Sequence, residues 1–128
     1  MLKQKIILPV AAALLMCAPA AFAGQKLDII QIMGQFVLAK HAASQCLKPD
    51  QDTVARFNSN FRIVSFRATE EMLKRRPGST ETQVFEQFKK GTDTVQKQID
   101  EVIRTKGCGD SRIQDLLKLF EIQANLKL

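Results

Sequence analysis

The stretch RTKGCGDSR, residues Arg104–Arg112, decides how this chain is to be read. A cysteine stands between two glycines, with charges on both sides. Three readings are open for Cys108: a nucleophile, a metal ligand, or one half of a structural cross-link. The choice turns on the compartment, and the compartment is written at the N-terminus.

Lys3 and Lys5 form a positive start, Ile6–Ala20 is apolar and uncharged, and Ala21-Phe22-Ala23 is an A-x-A cleavage pattern followed by polar residues. This is the three-part pattern of a secretory signal peptide. It is shorter than the roughly 20 apolar residues of a membrane span. Leu14-Leu15-Met16-Cys17 loosely matches the site at which bacterial lipoproteins are anchored, but Met16 stands where a small residue is needed, which argues against a lipid at Cys17. The expectation is therefore a leader over residues 1–23, one domain over residues 24–128, and a periplasmic or secreted protein.

Cleavage removes Cys17 and leaves Cys46 and Cys108. An even pair in an oxidising compartment reads first as a disulfide. The two are too far apart in sequence for a C-x-x-C redox pair or a zinc knuckle. His41 is the sole histidine. It precedes Cys46 by five residues, which puts the two on different sides of a helix, and it reads as a surface or half-buried helical residue.

Outward from Cys108, four amphipathic segments emerge. The first runs from about Lys26 to Gln45, apolar at Ile29, Ile30, Met33, Phe36, Val37 and Ala43, with Ile32 and Leu38 widening the stripe. Pro49 breaks it, and Asp50 or Asp52 can cap the next helix. The second runs from about Asp52 to Arg75, with Val54, Phe57, Phe61, Val64, Ala68 and Met72 at helical spacing. Lys74, Arg75 and Arg76 close it ahead of Pro77-Gly78. Cations there complement the helix dipole, and they are also a candidate partner-binding patch. Thr80 with Gln83 is a capping box for the third segment. Its apolar positions are Phe85, Phe88, Thr92, Val95, Ile99 and Val102; Gly91 inside it marks a bend, a close helix contact or nothing in particular. Gly107 stops it, Ser111 with Gln114 gives a second capping box, and Ile113, Leu116, Leu117, Phe120 and Ala124 carry the fourth.

No strand-like alternation competes, so the fold class is all-α: a small up-down four-helix bundle closed by one disulfide. Short connections favour antiparallel neighbours. In that topology the first and third helices end at one pole, which brings Cys46 and Cys108 together although sequence keeps them apart.

Function is less legible. Nineteen Lys+Arg, less Lys3 and Lys5, against 13 Asp+Glu leave the mature chain at +4. This is an interspersed charge, compatible with peripheral contact with an anionic membrane, and no nucleic-acid footprint: Tyr and Trp are absent and there is no long basic run. The chain has no G-x-S-x-G, H-E-x-x-H, P-loop or G-x-G-x-x-G motif. The carboxylate neighbours Glu70-Glu71 and Asp100-Glu101 diverge by about 100° on a helix, so neither pair converges, and Asp110 near Asp115 is a third set. The expectation is a non-catalytic protein without metal or cofactor. It would act by binding another protein in the bacterial envelope, as an inhibitor or immunity protein, a secretion-system accessory or a host-interaction protein. Candidate partner-binding residues are Lys74, Arg75, Arg76, Ile32 and Leu38, and a second copy of the chain is a candidate partner. Two other readings are a periplasmic stress chaperone exposing apolar surface on partial unfolding, and a carrier of a small apolar ligand among Phe57, Phe61, Phe85, Phe88 and Phe120.

Overall fold

The computed structural model describes residues 28–128. The expected leader and Cys17 lie outside the described residues. Within them the chain is helical: α1 (Ile29–Cys46), α2 (Gln51–Arg75), α3 (Glu81–Lys106) and α4 (Ser111–Ala124).

The helix ends follow local chemistry. Asp50 caps α2 by accepting from the Thr53 amide at 2.7 Å. Thr80 and Gln83 form the expected box on α3: the Gln83 amide donates to Thr80 Oγ1 at 3.2 Å, and the Thr80 amide donates to Gln83 Oε1 at 2.9 Å. Two starts depart from the sequence reading. α1 begins at Ile29, because Asp28 accepts from the amides of Ile30 and Gln31 while its own amide donates to Gln31 Oε1. On α4 the cap is Asp110, not Ser111: its carboxylate accepts from the Arg112 amide at 2.9 Å. An ionised oxygen at the positive end of a helix is a stronger acceptor than a hydroxyl. Gln114, freed from the expected box, donates to the Cys108 carbonyl at 2.7 Å. Gly78 and Gly107 hold φ of 91° and 78°, a region that disfavours any side chain, and each lies just past a helix end.

α1 is central. It packs against all three other helices; α1, α2 and α4 pack most closely together, and α3 and α4, consecutive in the chain, touch least. A helix with neighbours on three sides needs apolar atoms on three sides, which accounts for the width of its stripe. Ala39, Ala42 and Ala43 are fully buried, so small side chains let the neighbours close on its C-terminal half. Phe36, Phe57 and Phe120 form the centre, with ring centroids 5.3 Å apart for Phe36–Phe57 and 4.4 Å for Phe57–Phe120. Buried Asn60 donates to the carbonyls of Gln123 and Leu126, both at 2.8 Å, so its amide is spent on backbone acceptors at the end of α4 and just beyond it.

α3 corrects one expectation. Val84 is 1% exposed and Phe85 65% exposed, so the seam begins at Val84. At about 100° per residue, the mean direction of Phe88, Thr92, Val95, Ile99 and Val102 lies nearer Val84 than Phe85. Gly91 marks no close helix contact. The helix runs through it, and a Cβ added there meets nothing within 4 Å.

Two stability outcomes follow. Gly91→Ala should stabilise the domain by about 1 kcal/mol, read as a higher urea midpoint at unchanged slope, because the alanine costs nothing in the native state and restricts the unfolded chain. Replacing both Cys46 and Cys108 by serine should cost roughly 4 kcal/mol, from the loop entropy returned to the unfolded chain. A double-serine variant that melts at the wild-type temperature would refute the clamp.

Candidate functional site

Cys46, the last residue of α1, is bonded to Cys108, just past α3, with an S–S distance of 2.05 Å and 5.7 Å between Cα atoms. Of the three readings of RTKGCGDSR, the cross-link is the one realised. The bond consumes both sulfurs, so neither is a free nucleophile or ligand. Among the described residues, no three His, Cys, Asp or Glu side chains converge in a way that could hold a metal ion. No helix among them is long and apolar enough to cross a membrane.

A polar contact lies along the same α1–α3 seam. His41 Nε2 is 2.7 Å from Asp100 Oδ1, and the Gln45 amide donates to the same oxygen. His41 Nε2 also lies 2.9 Å from Gln45 Nε2. One nitrogen cannot both donate to the carboxylate and accept from the amide. Donation to the charged oxygen is the stronger choice, and it leaves Gln45 donating to Asp100 as well. Asp100 is thereby held below the ordinary aspartate range, first by the Gln45 hydrogen bond and then by His41. His41 is half-buried, as expected for a helical histidine, and its partner comes from a distant helix.

The basic cluster divides. Arg75 is held in place: its Nη1 lies 3.6 Å from Asp28 Oδ2 and its Nε lies 3.2 Å from Glu71 Oε1, so it ties the end of α2 to the start of α1. Lys74 and Arg76 are exposed and make no ion pair among the described residues. Ile32 and Leu38 are half-buried against the core, and Leu38 lines a groove of about 230 Å³ between α1 and α3 with Ile30, Val37 and Phe88. Of the other carboxylates singled out in the sequence, Glu101 pairs with Arg104 and Asp110 with Arg112, while Glu70 and Asp115 make no ion pair among the described residues.

Sequence reasoning missed two surface aromatics. Phe66 on α2 and Phe85 on α3 are 66% and 65% exposed. Phe66 fell between the seam positions Val64 and Ala68, a signal that placed it opposite the core. Phe85 was hidden because its three-residue step to Phe88 is as helical as the four-residue step from Val84. Ile122, Leu126 and Leu128 are exposed at the far end of the chain. By contrast Phe57, Phe61 and Phe120 pack on one another and on Phe36.

Because the Asp100 pKa is lowered in the native state, its contribution is complete above the ordinary aspartate value of 3.8 and is lost as pH falls through the lower native value. Wild type should therefore exceed Asp100→Asn in denaturant midpoint at pH 6, and the gap should close as the solution is taken below 3.8. Equal midpoints at both pH values would show the carboxylate to be idle.

Comparison of the chain with protein-family models, with curated proteins and with solved structures returns no match.

Proposed function

We propose that this is an exported, non-catalytic helical protein that works by binding another protein of the bacterial envelope. In this reading residues 1–23 are a leader removed after Ala23, and residues 24–128 fold as an up-down bundle in the periplasm or outside the cell. Two contacts support the helix directions. The Cys46–Cys108 bond joins the ends of α1 and α3, and Arg75 at the end of α2 reaches Asp28 at the start of α1. A disulfide holding a domain of this size is at home in an oxidising compartment. The partner class is an inhibitor's or immunity protein's target, a secretion-system component or a host protein.

The observation that carries the reading is the pair Phe66 and Phe85. Both are about two-thirds exposed, on the halves of α2 and α3 that flank the turn bearing exposed Arg76. Large aromatics are the residues that dominate protein interfaces, particularly beside arginine. Neither ring contributes to the core, so neither is there for stability.

A photo-crosslinking amino acid at position 66 or 85 should give one discrete adduct in living cells, and the same probe at exposed Lys118 on α4 none. An adduct at twice the chain mass would identify the partner as a second copy. Phe66→Ser and Phe85→Ser should abolish the adduct formed from the other position and change the stability of the purified protein by less than about 0.5 kcal/mol. A featureless smear, or no adduct from either position, would refute the proposal.

A further inference from the structure

The surface beside Lys40 holds an arrangement that neither the core nor the exposed phenylalanines account for. Between the C-terminal half of α1 and the start of α2 lies a groove of about 300 Å³, at the lower end of the roughly 300–1,000 Å³ typical of ligand sites. Phe57 and Phe120 line it, 1% and 3% exposed, with Ala43, Leu47 and Val54 as apolar neighbours. A second hollow of about 320 Å³ lies along the same ridge of α1, lined by Val37, Phe61 and Gln96. Lys40 and Ser44, one helical turn apart, line both.

The charge at this junction is uncompensated. Lys40 Nζ lies 5.3 Å from the centre of the Phe61 ring, and Lys40 makes no ion pair among the described residues. Asp100, which reaches the edge of the second hollow through His41, is already occupied by His41 and Gln45. A cation resting on a ring face keeps most of its attraction for an anion, because the ring supplies only a quadrupole. Lys40 stands between the two hollows, and an apolar groove bordered by such a cation is complementary to one kind of small molecule, with a hydrocarbon tail and a single negative head.

We propose that this groove binds an amphiphilic anion of the single-chain fatty-carboxylate class, the tail lying along the half-buried Leu47, Pro49 and Val54, with Phe57 and Phe120 closing the floor beneath them, and the carboxylate on Lys40 beside Ser44. A neutral apolar molecule would use the floor alone. This site shares no residue with the Phe66–Phe85 surface and does not depend on the protein-binding reading. It also differs from a carrier with its ligand in the bundle core, where the phenylalanine rings fill the space with one another.

Calorimetric titration of the full mature chain with decanoate, below its micelle concentration, tests the proposal, with decanol as the uncharged tail and Lys118→Gln as a control for loss of an exposed cation elsewhere. One decanoate should bind per chain, more tightly than decanol. Lys40→Gln should weaken decanoate about tenfold, as expected for the loss of a hydrogen bond to a charged group, and leave decanol unchanged. Val54→Phe, which fills the groove, should abolish both. Circular dichroism and melting temperature establish that each variant is folded. Absence of binding, equal affinity for decanoate and decanol, or equal loss in Lys40→Gln and Lys118→Gln would overturn it.

Discussion

The covalent bond between Cys46 and Cys108 secures the helix that packing secures least. α3 is the longest of the described helices, yet Val84 and Ile99 are its only buried residues. It leans on α1 and α2 and barely meets α4. Hydrophobic burial of that extent would leave α3 free to open locally, since local stability tracks buried apolar contact. The bond pins its C-terminal end to the central helix, and Gly107, turned through a positive φ, delivers Cys108 to the junction. From that fixed end the His41–Asp100 contact sets the two helices in register one to two turns further along. The remainder of α3 then lies along α1, and the groove at Leu38 and Phe88 marks where the two do not close completely.

The rest of the molecule is organised by α1. Its alanines admit α2 and α4 to close range, and the Phe36–Phe57–Phe120 cluster fills the space that remains. Truncating any one of these rings would remove a side chain worth about 3–5 kcal/mol, comparable to the covalent clamp itself. The two devices act on different things. The rings hold α1, α2 and α4 as a unit, and the sulfur bond attaches α3 to it. Asn60 adds specificity to the first unit, because its single amide recognises the carbonyls at one particular end of α4.

Much of this was legible from the residues. The four segments, the Thr80–Gln83 box and the stops at Gly78 and Gly107 follow from short-range rules, the pairing of the cysteines follows from their even number and the order of the helices, and the structure bears them out. What escaped is what depends on a choice between near-equal local options or on a distant partner. Val84 and Phe85 both satisfy helical spacing, and the direction of the whole seam decides between them. Asp110 and Ser111 both cap well, and charge decides. Arg75 looks like a dipole residue until Asp28 arrives from another helix. Lys40 is one cation among many in the sequence, and it stands out only because Phe61 and Phe120, contributed by two other helices, sit beside it.

The bond has one more consequence, topological rather than energetic. By joining residues 46 and 108 it closes α2, α3 and the turn between them into a covalent ring, with α1 leading into it and α4 leading out of it as tails. The exposed residues Pro77 and Gly78 are the natural place for a protease to cut that ring. A single cut there opens the ring but releases nothing. The two halves remain covalently one molecule under oxidising conditions, and under reducing ones only the packing of α3 and α4 on α1 and α2 still joins them. Intactness of the backbone and intactness of the molecule are thus separate properties in this protein.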